Sequence, residues 1–415
     1  MTMSDNILPP QPLFDTLDNL KITLGQTNNQ ISLYILSSGI GKAQEDYRHA
    51  LEFLYSYRGS KDTFASYRRE VERLLQWSWF INKTSLSQLK RLDIEHFIDF
   101  CQKPPLEWIG VKTVPRYLNK DGLRVVNPLW RPYIVKSSLH ANEPRQKDFS
   151  LSSKALQAVF SILSSFFTYL VQEEYIDSNP IALIRQKSKY LRKHQQKAKI
   201  RRLTELQWSY VVDTAELLAQ LNPEEHERTL FVIQALYGMY LRISELAASP
   251  RWTPEMGDFH MDMDGNWWFT TVGKGNKERD ISVSDAMLTA FKRYRQFSGL
   301  SPLPAPGESL PLISKTRGRG AINSTRQIRN IVQKCFDAAV ERLFKDGFEQ
   351  DAELLKAATV HWLRHTGISD DVKHRPREHV RDDAGHGSSA ITDKYIDVEM
   401  RERHRSGKNK QLKPF

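Results

Sequence analysis

The stretch HWLRHTG, residues 361–367, places His361, Arg364 and His365 within one helical turn. Two histidines four apart on a helix can hold zinc. A zinc-protease helix, however, needs a general-base Glu directly after its first histidine, and Trp362 stands there. Arg364 between the two imidazoles would repel a dication. A guanidinium with imidazoles beside it fits an anion better, because it offers a planar fork of donors. A packed, purely structural histidine pair is the plainer alternative.

Three more stretches supply what an anion site needs. LRISEL (241–246) puts Arg242 between Leu241 and Ile243, with Glu245 close by. An Arg in so apolar a setting is paired or faces a ligand; a buried Arg242–Glu245 ion pair would satisfy it without any ligand. VGKGNKERD (272–280) holds Lys274 between two glycines, which free the backbone for close approach to a partner. It lacks the spacing and the Lys-Ser/Thr ending of a nucleotide loop. DDAGHGSSAITDKY (382–395) flanks His386 with glycines and ends on Tyr395.

The elements that must position these residues follow from periodicity. Residues 1–40 are polar with scattered prolines and a weak helical pattern, and are read as an arm. Residues 41–184 are read as a helical domain. Tyr47, Leu51, Leu54, Phe64, Tyr67, Val71, Leu74, Leu75 and Trp79 recur at helical spacing, and further helices are expected over 85–104 and 150–176. Between them, 104–148 is a proline- and aromatic-rich excursion with some strand. RQKSKYLRKHQQKAKIRR (185–202) contains nine basic residues and no acid. It is either a solvated linker or a strap whose Lys187, Lys189, Arg192, Lys193, Lys197, Lys199, Arg201 and Arg202 touch phosphates.

A second domain is expected over 203–400. It begins with a helix over 203–219 and continues with a long buried helix pair over 229–249. Two-residue alternation over 259–284 predicts a small antiparallel sheet turning at Asp264-Gly265 and again at Gly273–Gly275. Helices are expected over 285–297, 324–345 and 350–370, the last carrying HWLRHTG. Residues 401–415 form a basic tail, with six Lys or Arg against one Glu. The fold class is therefore mainly α with a small antiparallel β-sheet.

Composition narrows the function. A formal net charge of +11 and a pI near 9.4 over 415 residues point towards a polyanion. Cys101 and Cys335 are the only cysteines, too few for a disulfide framework or a thiolate zinc site. The N-terminus mixes acids and prolines, unlike a signal peptide, and no run approaches 18 uninterrupted apolar residues. A soluble, cytoplasmic protein in a reducing compartment is expected, with no membrane partner.

Singly these motifs are weak, but their order is specific. Arg242, Lys274 on a β-turn, His361-x-x-Arg364, Gly385-His386 and Tyr395, nine residues on, resemble the tyrosine recombinases, the phage-integrase family of site-specific DNA recombinases. The resemblance covers about 203–400 as a catalytic domain. It extends to 45–176, which looks like that family's core-binding domain, the clamp on the opposite face of the duplex. It implies that Tyr395 attacks a phosphodiester to give a 3′-phosphotyrosine and a free 5′-hydroxyl. Arg242 and Arg364 would grip the non-bridging oxygens, Lys274 would protonate the leaving 5′-oxygen, and His361 and His386 would bind the phosphate and assist proton transfer at the nucleophile. The implied partners are double-stranded DNA, further copies of the chain in a tetrameric synaptic complex, and related recombinases or DNA-bending proteins.

The chemistry agrees. A free tyrosine, with a pKa of about 10, is almost wholly protonated at neutral pH and needs a base or nearby cations. The phosphorane-like transition state gathers negative charge that two guanidiniums and two imidazoles stabilise. No metal or nucleotide cofactor is required, because the phosphotyrosine stores the energy for resealing. Departures from the family pattern are Ala384 and Gly387 around Gly385-His386, and the unusually charged SDDVKHRPREHVRDD (369–383). A type IB topoisomerase, a telomere resolvase and a non-catalytic DNA-binding protein are the alternatives.

Overall fold

Apolar residues at helical spacing bury one face each, and the computed structural model shows where those faces meet. It describes residues 9–20, 29–135, 149, 151–187, 202–273, 275–315, 318–395 and 407–408. The chain forms two compact units, Met1–Gln196 and Lys197–Phe415.

The first unit contains α1 (Asn29–Leu36), α2 (Ala43–Ser56), α3 (Lys61–Gln76), α4 (Arg91–Gln102), α5 (Ser153–Gln172) and α6 (Pro180–Lys187). Ser60 caps α3 by accepting from the Thr63 amide, and Ser152 caps α5 by accepting from Ala155. Among the described residues α5 is the one helix long and apolar enough to cross a membrane by length and composition. The reason for its apolarity is visible in the core, where its Phe160, Leu163, Phe166, Phe167 and Leu170 are almost wholly buried against α2 and α3.

The excursion and the N-terminal segment meet in this unit. The excursion forms a parallel pair, β1 (Ile109–Gly110) with β4 (Tyr133–Ile134), and a hairpin, β2 (Tyr117–Lys120) with β3 (Leu123–Val126). Asp121 and Gly122 turn the hairpin, both at positive φ. The N-terminal segment lies along that hairpin. The Tyr117 hydroxyl donates to the Pro12 carbonyl, Arg124 pairs with Asp15, and the Leu13 amide donates to buried Glu72. Leu13 and Phe14 are core residues.

The second unit opens with α7 (Glu205–Leu221), held by a capping box in which Thr204 and Gln207 satisfy each other's amides. Next comes α8 (Pro223–Gly238), and then a three-stranded antiparallel sheet in the order β5 (Phe259–Met261), β6 (Trp267–Val272), β7 (Glu278–Ser282). The remaining helices are α9 (Asp285–Phe297), α10 (Thr325–Lys345), α11 (Glu349–Lys356), α12 (Val360–Asp371), α13 (Arg377–Ala384) and α14 (Ser389–Thr392).

Two expected helical stretches are interrupted where periodicity continues. The pattern over 229–249 continues past α8, but the backbone stops at Gly238 and Tyr240 takes a left-handed conformation, φ +50°. Arg242 therefore lies outside the helix, at the entrance to a short 3-10 turn, Ile243–Glu245. The pattern over 350–370 is divided into α11 and α12, which are separated by residues 357–359. In both places burial of apolar residues continues where helical hydrogen bonding does not.

The crossing of α8 and α12 sets the position of everything that follows. A Cβ at Gly367 would lie 2.1 Å from the Tyr237 carbonyl oxygen, far inside contact distance, so only glycine permits this approach. Gly367→Ala is expected to push the helices apart and destabilise the fold by about 1–3 kcal/mol, the usual cost of overpacking. Thermal melting of the full chain tests this, and an unchanged midpoint would mean that the crossing yields freely.

Candidate active site

The site begins with a buried carboxylate. Glu245 is 2% exposed and takes donors from two arginines. Arg242 gives it both its backbone amide and Nη1, each at 2.8 Å, and Arg279 on β7 gives Nη1 and Nη2, each at 2.9 Å. Burial pushes the Glu245 carboxyl up, but the hydrogen bonds and charge of Arg279, then those of Arg242, outweigh it and hold the group below its ordinary value. The buried ion pair and the ligand-facing arginine were alternatives in the sequence, and the structure combines them. One edge of Arg242 is tied to Glu245, while Nη2 turns to the Gly385 carbonyl next to His386.

Arg364, 3% exposed on α12, is held from both sides. Its Nη1 donates to the Tyr240 carbonyl and its Nη2 to the Ala384 carbonyl at 2.6 Å. The left-handed Tyr240 thus turns its carbonyl to one catalytic candidate while starting the turn that leads to the other. Burial, followed by repulsion from Arg242, pulls the Arg364 guanidinium down to about 10, which leaves it charged at neutral pH. Gly385 caps α13 in the left-handed region at φ +61°, and a Cβ there would meet Arg279 Cδ at 2.9 Å. At Gly387 a Cβ would meet nothing within 4 Å, so this departure from the family pattern disturbs no packing.

The charged run 369–383 also has a structural account. Arg375 ties the Tyr240 hydroxyl and Asp371 to Ser282 and Asp383, joining α12, β7 and α13. The Asp383 carbonyl accepts from Arg279 Nε at 2.9 Å. These charges brace the loop that carries Gly385 and His386.

Tyr395 ends a short 3-10 turn, Asp393–Tyr395, after α14, and packs with Tyr240, Ile368, Val380 and Ala384. It is 8% exposed. Burial raises its pKa, while Arg364 and Arg242 oppose the rise. Its ring stacks on His386 at 5.6 Å, and its hydroxyl lies 2.6 Å from Nδ1 of His365. His386 Nδ1 is engaged by the Thr392 hydroxyl at 2.9 Å, and the His361 ring meets His365 edge-on at 4.6 Å. Burial first, then the neighbouring cations, lowers all three histidines, with His386 brought to about 4. Each is a neutral imidazole at neutral pH.

Arg242, His361, Arg364, His386 and Tyr395 are thus gathered around one location. Lys274 lies outside the described residues, in the β6–β7 turn, where the Gly273 amide donates to the Lys277 carbonyl at 2.8 Å. A Cβ at Gly273 would come within 2.8 Å of Arg279 Nη1 and 3.1 Å of Glu245 Oε1, so glycine lets this turn sit directly against the ion cluster. Of the basic strap, Lys187 closes α6 and Arg202 is half-buried, while Lys189, Arg192, Lys193, Lys197, Lys199 and Arg201 lie outside the described residues. Two residues were missed. Arg279 shares the inward face of β7 with buried Ile281, so strand alternation alone marked it as a charge pointing inward. His365 was seen in the turn with His361 and Arg364 but was not counted with them.

Residues 201–402 match the phage integrase family. Tyrosine recombinase XerC of Listeria monocytogenes serotype 4a (strain HCC23) is 25% identical over 295 residues, covering 68% of this chain and 82% of that protein. Tyrosine recombinase XerC of Thermodesulfovibrio yellowstonii is 27% identical over 249 residues, covering 58% and 70%. Among solved structures, the XerH site-specific recombinase bound to palindromic difH has a TM-score of 0.52 at 12% identity, covering 96% of this chain and 99% of that one. A lambda integrase dimer bound to a COC′ core site has a TM-score of 0.51 at 13% identity, covering 95% and 87%. At such identities these structures speak for the fold. The family match over residues 201–402, together with the relatives, identifies that region as a tyrosine recombinase domain of the phage integrase family.

Proposed function

We propose that Tyr395 is the nucleophile of this site-specific DNA recombinase and that the side chains gathered around it divide the work of one phosphoryl transfer. The enzyme breaks and rejoins DNA strands through a 3′-phosphotyrosine intermediate. The observation that carries the assignment is the seating of Tyr395 between two neutral imidazoles, within electrostatic reach of Arg242 and Arg364. A phosphate entering there meets two guanidiniums already oriented by Glu245, Tyr240 and Ala384, so little reorganisation is left to the transition state. His361 and His386 add hydrogen bonds to the same phosphate. Lys274, which follows Gly273 in sequence, donates the proton to the departing 5′-oxygen.

The enzyme binds double-stranded DNA and associates with further copies of itself on it. We assign 41–184 to the clamp, 203–400 to catalysis, and the strap at 185–202 to the phosphate backbone. A tetramer is the synaptic form proposed, with action in the cytoplasm and room for related recombinases or DNA-bending partners. The type IB topoisomerase alternative is disfavoured by His361, where that family usually carries Lys.

Tyr395→Phe should bind its site normally and never become covalently joined to DNA. The substrate is a nicked duplex carrying the core site selected from a randomised library by the Phe variant; an adduct from that variant would remove Tyr395 from its role. Lys274→Ala should cleave an ordinary phosphodiester very slowly. Sulfur in place of the bridging 5′-oxygen makes a leaving group that departs without a proton, so it should rescue Lys274→Ala and leave Arg242→Ala slow. Equal rescue of both, or of neither, moves the proton donor elsewhere, with Lys277 next in line. Neutralising Lys187, Lys189, Arg192 and Lys193 together should weaken binding to all sequences alike and flatten its salt dependence by roughly 0.9 log units per lost phosphate contact. An unaltered slope returns the strap to a solvated linker.

A further inference from the structure

The family resemblance gives His361 and His386 a part in proton transfer at the nucleophile, but it does not say which atom touches the Tyr395 hydroxyl in this chain. Tyr395 is buried, and burial disfavours its phenolate. The two arginines act against that, but they lower the cost of the anion without taking the proton. A base has to touch the hydroxyl, because proton transfer needs heavy-atom separations of about 2.6–3.2 Å.

Of the three histidines around Tyr395, one meets that condition. His386 lies face to face with the tyrosine ring, interplanar angle 18°, and spends Nδ1 on Thr392. His361 directs its ring against His365, at an interplanar angle of 77°. His365 Nδ1 is 2.6 Å from the Tyr395 hydroxyl. The phenol is protonated in the resting site, so it can donate to an unprotonated Nδ1 at that separation. The imidazole then carries its proton on Nε2.

We propose that His365 is a further catalytic residue, the general base for Tyr395 in strand cleavage and the acid that returns its proton on resealing. In the forward step the phenolic O–H bond breaks and the proton passes to His365 Nδ1. The phenolic oxygen bonds to phosphorus as the bond from phosphorus to the 5′-oxygen breaks, and that oxygen takes its proton from Lys274. Resealing reverses each transfer. The role rests on the reading of Tyr395 as the nucleophile.

The surroundings suit a base that is poised rather than already protonated. The groups facing His365 are His361 and Arg364 on its own helix and, across from it, Tyr395 and His386. Burial, then His361 and Arg364, brings the imidazole down to about 4, so it is free to accept at neutral pH. An entering phosphate supplies the negative charge that offsets the arginines and makes the imidazole more basic when it is needed. Helix α12 delivers both groups at once, since Arg364 and His365 are adjacent on it.

The test is single-turnover adduct formation on the nicked core-site duplex by the full-length protein. His365→Ala is expected to be slower by about 100- to 10,000-fold, the usual range for a lost general base, with DNA binding and melting unchanged. His365→Asn, which keeps a hydrogen-bonding side chain but cannot take up a proton, should stay slow. Fluorinated tyrosine at position 395 is more acidic and depends less on a base, so it should accelerate His365→Ala much more than the parent enzyme. If His365→Asn cleaves at the parent rate, or if fluorination speeds both proteins equally, His365 is not the base. An adduct formed by Tyr395→Phe is a separate result, because it removes the nucleophile itself.

Discussion

The geometry of the second unit depends on one buried carboxylate. Glu245 collects the Arg242 amide and side chain and both Nη atoms of Arg279, and so joins the end of α8 to the last strand of the sheet. Arg279 carries the link on to α13 through the Asp383 carbonyl. Three cationic side chains, Arg242, Arg279 and Arg364, would otherwise crowd together with no counter-charge. Removing one partner of such a buried pair typically costs about 3–5 kcal/mol, because it leaves the other charge desolvated and unpaired. The same contacts orient Arg242, whose Nη2 reaches the Gly385 carbonyl beside His386. Stability and orientation therefore come from the same bonds.

The first unit uses the same device without any chemistry. Asp46 accepts from Trp79 Nε1, the Tyr175 hydroxyl, the Ser85 hydroxyl and the Leu86 amide, and burial raises its pKa against all of them. Glu72 gathers the Leu13 and Phe14 amides and Arg116. In each case a buried acid brings together segments distant in sequence, and each donor it holds would cost free energy if left unpaired.

The chemical state of the site before DNA arrives follows from burial and charge together. Burial disfavours every charged form, so the tyrosine is held protonated and the histidines neutral. Arg364 stays charged because its intrinsic basicity is high enough to survive the shift. The result is a cationic cluster surrounded by neutral acid–base groups.

The sequence by itself determined the class of the fold, the three-stranded sheet and most helix positions, and it named Arg242, Lys274, His361, Arg364, His386 and Tyr395 as site candidates. These are recorded in periodicity and in the order of short motifs, both local properties of a chain. Tertiary structure decided the rest, because contacts between distant segments leave no local signal. It broke the helix pattern at Tyr240, where a left-handed residue and the Arg364 hydrogen bond outweigh helical propensity. It brought Arg279 to Glu245, and it laid residues 12–15 along the hairpin of the excursion. It also set His365, which the sequence reading did not count among the site residues, beside Tyr395. Only the folded positions of α12 and the Asp393–Tyr395 turn place the Tyr395 hydroxyl on His365 and its ring face on His386.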